Sequence, residues 1–437
     1  MIRSRFILLA TIAFLPLAAL AGDIDALIDK EYPSLEHLYT TLHTHPELSL
    51  QEAQTARRLA DELRTLGFDV AEHVGGHGVV AVLKNGPGKT LLLRTELDAL
   101  PVKEETGASY ASTVTATDPH GKPVSVMHAC GHDIHVTCLV GAARALVKLK
   151  DQWHGTLILI GQPAEEIVQG AAAMLKDGLF TRFPRPDFCL AQHVDSELQA
   201  GKVGYVSGYA MANVDSLDIT IRGVGGHGAM PHTAKDPIVI AAQTILALQT
   251  IASREVKPTD PVVVTVGSIH GGTKHNIIPN EVTLQLTIRT YKDETRQQVL
   301  GAIERIVKGT AATAGVPKDR EPIITRTPES TFATYNTPAL VDRVTATLRK
   351  TLGDSNVVER EPTMGAEDFG LYGRDEPRIP IFMLRLGSVS PDQIAAAKAG
   401  NQSLPSLHSA RYLPQREPTI RTGTLALTTA ALDLLGR

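Results

Sequence analysis

The segment Met127–His135 concentrates side chains that can bind a divalent metal. His128, Cys130, His132 and His135 fall within nine residues. Because unpaired polar groups are costly to bury, an ordinary core helix has little use for so many of them. The segment is therefore either a solvated histidine-rich turn or part of a metal site.

Acidic side chains and a histidine recur where three predicted buried strands end. They are Glu96 and Asp98 after Thr90–Arg94, Glu165 and Glu166 after Thr156–Ile160, and His193 after Phe188–Gln192. Ligands of open α/β sheets bind at the carboxyl ends of the strands. The recurrence predicts one shared site. For each residue taken alone, solvated acids and a satisfied core histidine are the alternative interpretation.

The candidate ligands combine one thiol, one carboxylate and three imidazoles: Cys130, His132, Glu166, His193 and His408. Two divalent ions can share such a set if one ligand bridges them. Ions about 3.5–4 Å apart can polarise a carbonyl and activate the attacking water. A neighbouring carboxylate must take the proton of that water, and Glu165 is available if Glu166 is a ligand. For His408, which lies in an irregular segment, a ligand and a loop histidine stay equally open.

The composition is that of a globular protein with 43% hydrophobic and 21% charged residues and a net charge of −4. A mildly acidic chain without a basic cluster is a poor candidate for nucleic-acid binding. Three cysteines are an odd number and do not form a disulfide framework in a chain of this size. Cys138 and Cys189 lie in apolar surroundings and are predicted core residues, whereas Cys130 would survive as a metal-bound thiolate.

The N-terminus has the pattern of a secretory signal peptide. Arg3 and Arg5 precede the apolar run Phe6–Leu20, and Ala19-Leu20-Ala21 is a small-x-small cleavage pattern. The run is too short for a comfortable membrane span. We expect residues 1–21 to be removed and the mature protein to be periplasmic or extracellular, without membrane association.

The order of predicted elements divides the mature chain into two domains, as the length of the full 437-residue sequence leads one to expect. Residues 22–212 and 321–437 alternate buried strands with helices, which predicts an α/β domain. Residues 213–320 follow the order strand, helix, two strands, helix. This change in the order of strands and helices predicts an inserted α+β domain.

Seven motifs occur in the order found in peptidase family M20, and they span nearly all of the mature chain. They are Arg94–Pro101, Met127–His135, Gln162–Glu166, Gly223–His232, Asn276–Pro279, Gly365–Phe369 and Leu407-His408. The chain resembles the amidohydrolase subgroup, which includes N-acyl-amino-acid, hippurate and auxin-conjugate hydrolases. The resemblance implies a zinc-peptidase-like α/β catalytic domain with a mixed sheet flanked by helices, carrying an inserted α+β dimerisation or lid domain.

The resemblance also implies roles for the catalytic-domain residues. The family's two metal ions would be held by the five candidate ligands, with Cys130 as the bridge where related peptidases use Asp. Glu165 corresponds to the general base. Asp98 corresponds to the acid that orients the site. His128 and His135 would support the turn rather than bind metal.

In the inserted domain, the resemblance assigns three further residues. His227 corresponds to a histidine that stabilises the tetrahedral intermediate, in some members from the neighbouring subunit. Asn276 and Arg289 correspond to residues that bind the carboxylate or oxyanion of the substrate. From the residues alone, His227 is also explained as a loop histidine, Asn276 as a turn residue and Arg289 as an exposed strand residue.

Two features depart from the family pattern. Glu96 stands where the subgroup has Asp and other M20 peptidases have a metal-binding His, and we do not make it a ligand. The loop Thr106–Ser125 is long for the subgroup, which predicts an unusual rim of the substrate cleft.

The resemblance implies an exported two-metal amidohydrolase that splits N-acyl amino acids into a carboxylic acid and an amino acid. Aromatic conjugates such as hippurate or ochratoxin-type amides are candidate substrates. Zinc suits the ligand types best, with manganese, cobalt or nickel as alternatives. The lid implies a homodimer or a higher homo-oligomer. Two other functions stay open: a metal-dependent dipeptidase or carboxypeptidase on the same scaffold, and a non-catalytic periplasmic binding protein.

Overall fold

The computed structural model describes residues 17–400 and 402–436, with side chains from Gly22 onward. Of the predicted signal peptide, residues 1–16 lie outside the described residues, and the backbone of 17–21 belongs to the first helix. The helices are α1 Leu17–Thr44, α2 Ala53–Thr65, α3 His132–Lys148, α4 Gly170–Lys176, α5 Leu179–Arg182, α6 Pro237–Thr250, α7 Asp293–Thr313, α8 Pro338–Leu352, α9 Pro391–Lys398 and α10 Arg416–Leu435.

The strands form one large sheet, one smaller sheet and three short pairs. In chain order they are β1 Asp69–Ala71, β2 Val79–Asn85, β3 Thr90–Glu96, β4 Thr115–Thr117, β5 Pro123–Ser125, β6 Gly155–Gln162, β7 Phe188–Gln199, β8 Val203–Tyr205, β9 Gly208–Met211, β10 Val214–Arg222, β11 Gly226–His227, β12 Val262–His270, β13 Ile277–Ile278, β14 Glu281–Thr290, β15 Ile323–Thr331, β16 Thr334–Asn336, β17 Val357–Glu359 and β18 Ile381–Val389.

The large sheet has eight strands in the order β1-β2-β6-β3-β7-β18-β8-β17. Its centre, β6-β3-β7-β18, is parallel, and antiparallel strands flank it on both sides. Leu91, Leu92 and Leu93 of β3 are fully buried because helices cover both faces of the sheet. The predicted mixed sheet flanked by helices is confirmed.

The smaller sheet has the order β12-β14-β10-β15 and packs against α6 and α7 around its own apolar core. This arrangement is the α+β unit that the sequence predicts. Its last strand, β15, pairs with β10 from Thr220–Ile323 to Val214–Thr331. The sheet therefore extends past residue 320, where the sequence predicts the return to the first domain.

Two local predictions differ from the structure. The sequence predicts that the strand from Phe188 ends at Gln192, whereas β7 continues to Gln199 because β18 pairs with it along this length. His193 therefore lies within a strand. The predicted loop Thr106–Ser125 contains the hairpin β4–β5, which packs on a small apolar cluster with Leu48 and Ala99.

Gly131 turns the chain between Cys130 and the first residue of α3. Its φ of +76° lies in the left-handed region that favours glycine. A Cβ at this position would lie 2.8 Å from Cγ2 of Val194. This turn lets both Cys130 and His132 face the carboxyl edge of the parallel strands.

A buried guanidinium lies beneath that edge. Arg94, at the end of β3, contacts three carboxylates that are themselves buried: Glu96, Glu367 and Asp368. The Nη2 atom of Arg94 lies 2.7 Å from Glu367 and 3.2 Å from Asp368, and Nε donates to Gln162 over 3.0 Å. One cation thus ties the end of β3 to the segment after residue 366.

Replacing Arg94 by Met should destabilise the fold strongly, because three buried carboxylates lose their common cation. We expect the free energy of unfolding to fall by about 3–5 kcal/mol, measured by urea denaturation. The matched control is Arg343→Met, which removes an exposed ion pair with Asp433 and should cost about 1 kcal/mol or less. Equal losses in the two variants would contradict the role given to Arg94.

Candidate metal centre

Two groups of potential ligands share one side chain. Cys130, His132 and His193 form one group, and Cys130, Glu166 and His408 form the other, with the ligand atoms of each group within 4.8 Å of one another. Cys130 is the member common to both. This is the arrangement expected of a bridging ligand between two ions.

The hydrogen bonds of two histidines leave a ring nitrogen free on the side of the site. His132 donates from Nδ1 to the carbonyl oxygen of Asp98 over 2.7 Å. His193 donates from Nδ1 to the carbonyl oxygen of Val194 over 2.8 Å. The Nε2 lone pairs then face the cluster, and Nε2 of His193 lies 3.4 Å from Sγ of Cys130.

Several buried polar atoms of the cluster have no hydrogen-bond partner in the structure. They include Nε2 of His132, Oε1 of Glu166 and Oδ1 of Asp98. Buried polar atoms without partners are rare in folded proteins, and divalent cations satisfy atoms of these types. The residues present therefore fit two divalent ions.

Glu166 and His408 close the second group. The Oε1 atom of Glu166 lies 3.8 Å from Nε2 of His132, and its Oε2 atom lies 3.4 Å from Nε2 of His408. The backbone N–H of His408 donates to the carbonyl of Ala129 over 2.9 Å, which places His408 beside Cys130. His408 has a φ of +63°, an uncommon conformation that costs energy and is found often at functional sites.

The surroundings of the cluster favour protonated acids in the absence of a cation. Burial, and then the carboxylates of Glu166 and Glu165, raise the pKa of the Cys130 thiol well above its ordinary value. Burial also raises the pKa of Glu166 to about 7. A divalent cation acts in the opposite direction, so metal binding is coupled to proton release here.

Asp98 connects the two sides of the site. Its Oδ2 atom accepts hydrogen bonds from Oγ of Ser49 over 2.6 Å and from the backbone N–H of Glu166 over 2.9 Å. Burial raises the pKa of Asp98, but the neighbouring His132 and the hydrogen bonds from Ser49 and the Glu166 backbone together outweigh it, and the net shift is downward. A charged Asp98 can hold both His132 and the Glu166 backbone in place.

His135 and Glu96 are occupied with each other and with their neighbours. His135 Nδ1 lies 2.8 Å from Oε2 of Glu96, and His135 Nε2 accepts from the backbone N–H of Val194 over 2.9 Å. The other oxygen of Glu96 contacts Arg94. Both side chains thus already have protein partners, and with His132 they also form a group whose ligand atoms lie within 4.8 Å of one another. His128 is also buried, and burial lowers its pKa to about 4.

Glu165 lies next to both ligand groups. Its side chain is 6% exposed, and its Oε2 atom lies 3.7 Å from Nε2 of His132. The loop turns sharply on both sides, with Ala164 and Val168 at a φ of +51°. Burial, and then the charges of Glu367 and Glu166, raise the pKa of Glu165 well above its ordinary value.

A cavity of about 560 Å³ opens over the cluster. Its lining includes four of the five candidate ligands, Glu165, and Arg289 from strand β14 of the smaller sheet. His227 and Asn276 lie elsewhere, around the short pair β11–β13, where both are exposed. Gly228, Ile277 and Ile278 there line a different cavity. Within one chain, the structure brings Arg289 to the cluster but neither His227 nor Asn276.

Three residues beside the cluster have no predicted role from the sequence. Ligand atoms of Glu367 and Asp368 lie within 4.8 Å of those of Glu165. The sequence identifies the motif Gly365–Phe369 that contains these two acids, but it assigns neither of them a role. Arg385 lines the same cavity from β18. A cation inside the apolar run Ile381–Leu386 is a signal that could have identified it.

Comparisons with known proteins agree with this geometry. Residues 92–408 match the model of Peptidase family M20/M25/M40. The hippurate hydrolase of Campylobacter jejuni is 37% identical over 346 residues, 78% of this chain and 85% of that protein. Thermostable carboxypeptidase 2 of Saccharolobus solfataricus is 37% identical over 352 residues, 78% of this chain and 83% of that protein. The structure of YxeP from Bacillus subtilis, described as a dinuclear metal-binding peptidase of the M20 family, has a TM-score of 0.75 at 27% identity and covers 93% of this chain and 99% of that one.

Substitution of Cys130 tests whether one side chain serves both ligand groups. Cys130→Ser should lower bound zinc from two ions per chain to one or fewer, measured by elemental analysis after dialysis, because both groups lose a ligand. Cys130→Asp should retain two ions, since a carboxylate can also bridge. The control is Cys138→Ala, which removes a buried thiol away from the cluster. Two ions in Cys130→Ser would contradict the bridging role.

Proposed function

The chain belongs to peptidase family M20/M25/M40, and from this we propose that it hydrolyses N-acyl amino acids to a carboxylic acid and a free amino acid. One observation carries the proposal: a buried carboxylate, Glu165, lies beside two ligand groups that share Cys130 in one cavity. Arg289 lines the same cavity and can receive the carboxylate of an amino acid. The 37% identity with a hippurate hydrolase supports this substrate class.

The ligands would be Cys130, His132, His193, Glu166 and His408. When bound, the two ions polarise the scissile carbonyl and lower the pKa of the attacking water. His132 and His193 are held with Nε2 toward the ions by their hydrogen bonds to backbone carbonyls. The hydrogen bonds from Ser49 and the Glu166 backbone fix the Asp98 carboxylate, and with it the ligand geometry.

Glu165 performs the proton transfer in this proposal. It takes a proton from the attacking water as the C–O bond forms, and it returns a proton to the leaving nitrogen as the C–N bond breaks. Burial, and then the neighbouring carboxylates, raise the pKa of Glu165 above its ordinary value, which makes it a stronger base than an exposed carboxylate. Metal charge lowers the same pKa, so the two influences oppose each other.

Glu165→Gln tests the mechanism, because the amide keeps the shape but cannot take a proton. We expect kcat to fall by roughly 10²–10⁴-fold on N-acetyl amino acids, while bound metal stays at the wild-type content. The control is Glu361→Gln, on the rim of the same cavity and outside both ligand groups. Retained turnover in Glu165→Gln, with metal bound, would contradict the role of Glu165.

A carboxypeptidase or dipeptidase activity is the second candidate, since a carboxypeptidase is equally similar to this chain. The two functions differ in the group attached to the amino acid: an acyl chain in one case, an aminoacyl group in the other. A panel of N-acetyl, N-benzoyl and dipeptide derivatives of the same amino acids separates them after loading with zinc, manganese or cobalt. Faster cleavage of the dipeptides would favour the peptidase.

We also propose that two copies associate through the smaller domain. Leu246 on α6 is 73% exposed, and Val239 and Ile269 are about half exposed. Strand β12 is an edge of its sheet, so its backbone can pair with another strand. The stretch Pro237–Glu255 is also apolar and long enough to cross a membrane, and only 33% of its most apolar part is buried in the protein. A second copy would cover this surface and would bring its His227 to the cavity.

Mixing two inactive variants tests whether His227 acts across subunits. Glu165→Gln lacks the base and His227→Ala lacks the lid histidine, so each variant alone should be nearly inactive. After co-refolding, mixed dimers contain one site with both wild-type residues, and activity should return to a substantial fraction of wild type. Absence of recovery in mixtures that form dimers by light scattering would show that His227 acts within its own chain, and full activity of His227→Ala alone would show that His227 has no role.

A further inference from the structure

Arg385 occupies an unusual position in the central sheet. It lies in β18, beside His193 of β7 and Gly204 of β8, and every residue of β18 is buried. Side chains alternate along a strand, so Arg385 shares its face with Ile381 and Met383, which belong to an apolar core cluster. Apart from His193, its partner on β7, the nearest side chains named on this face are apolar. A cation here therefore needs a specific reason.

The guanidinium of Arg385 has no acidic partner in the described part of the chain. The residue is 8% exposed, and its Nη2 atom is buried without a hydrogen bond. Among the described residues, no carboxylate oxygen comes within the 4.0 Å limit of an ion pair with it. Isolated buried cations are costly, and buried arginines are normally paired.

Asp195, an acid whose charge acts on Arg385, is already engaged. Asp195 accepts from Nε of Arg360 over 3.0 Å, and Nη2 of Arg360 lies 3.5 Å from Glu197. The side chains of Arg360 and Arg385 both lie against Gly204. A Cβ added to Gly204 would lie 2.7 Å from Cγ of Arg360 and 3.1 Å from Cβ of Arg385. Arg360 is thus the paired arginine of the two, and Arg385 is the unpaired one.

The free side of Arg385 faces the catalytic cavity. Arg385 lines this cavity together with Glu165 and the ligands, and Arg289 lines it from the smaller domain. The Nε atom of Arg289 donates to Thr287 over 3.0 Å, and no acid of the described residues pairs with it. Two unpaired guanidinium groups from different domains therefore border one cavity of about 560 Å³.

We propose that Arg385 is a specificity-determining residue that binds a second carboxylate of the substrate, in addition to the α-carboxylate assigned to Arg289. The proposal rests on the proposed function and deepens it: the substrate would be an N-acyl amino acid with two carboxylates. Guanidinium binds carboxylate through two parallel hydrogen bonds, which would satisfy the buried Nη2 atom. The second carboxylate can belong to the amino-acid side chain or to the far end of a dicarboxylic acyl group.

Matched substrate pairs distinguish these two sources. N-acetyl-L-glutamate is compared with N-acetyl-L-glutamine, and N-succinyl-L-methionine with its terminal amide. In each pair a carboxylate is replaced by an amide of the same shape. For the metal-loaded wild-type enzyme, we expect kcat/KM to be at least about tenfold higher for the acid in one pair, as for a charged hydrogen bond.

In Arg385→Gln, that acid-to-amide ratio should fall about tenfold, and Arg385→Lys should recover part of it because it keeps the charge. Arg378→Gln, which removes an exposed arginine of the same domain, should leave the ratio at its wild-type value. Far-UV circular dichroism of each variant checks that it is folded. Equal measurable rates of hydrolysis within both pairs in the wild type, or an unchanged ratio in folded Arg385→Gln and Arg385→Lys, would overturn the proposal.

Binding separates failure of this proposal from failure of the proposed function. Calorimetry measures the affinity of metal-loaded Glu165→Gln for both members of each pair, with and without Arg385→Gln. Suppose that the wild type hydrolyses no N-acyl amino acid, but that the acid binds more tightly than its amide and loses this advantage in Arg385→Gln. The proposed activity then fails and the subsite stands. If the acid and the amide bind equally, the subsite fails whatever the activity.

Discussion

Negative charge buried at the carboxyl edge of the central sheet is the constraint on which the cleft depends. The acids buried there are Glu96, Asp98, Glu165, Glu166, Glu367 and Asp368. Arg94 compensates for Glu96, Glu367 and Asp368, and His135 also contacts Glu96. His132 contacts the other three acids. Glu165 and Glu166 have no guanidinium partner among the described residues, and burial raises the pKa of each. Metal cations would supply the positive charge that the remaining acids lack.

The same constraint explains why the supporting residues are as specialised as the ligands. The two oxygens of Glu96, at a position where the family resemblance implies Asp or a metal-binding His, contact Arg94 and His135. The longer side chain thus joins the buried network and leaves the ligand positions to Cys130 and His132. Burial and the neighbouring carboxylates favour the protonated thiol of Cys130 in the absence of a cation. The thiolate that would bridge two ions therefore forms as metal binds, with release of the proton.

The sequence leads one to expect Asp98, Glu165 and Glu166 at one place because they follow parallel strands, which end at one edge. Cys130, His132 and His408 lie outside the strands, and their ligand roles stay a prediction from the family motifs. The sequence predicts the α/β and α+β sheets from the periodicity of their apolar residues, and motif order identifies the family. It does not predict that Arg94 meets Glu367 and Asp368, because that contact joins segments far apart in the chain. Nor does it place His193 inside β7, since the length of that strand depends on pairing with β18. The sequence also does not predict that His227 lies away from the cavity that contains Glu165 of the same chain, because this depends on the placement of the smaller domain.

The central claim is that one thiolate joins two metal ions in this cleft. The most direct measurement is anomalous X-ray diffraction from crystals of the zinc-loaded protein, recorded on both sides of the zinc absorption edge. The structure predicts two anomalous peaks about 3.5–4 Å apart, both within bonding distance of Sγ of Cys130, one near His132 and His193 and the other near Glu166 and His408. A single peak, or two peaks of which only one contacts Cys130, would contradict the claim.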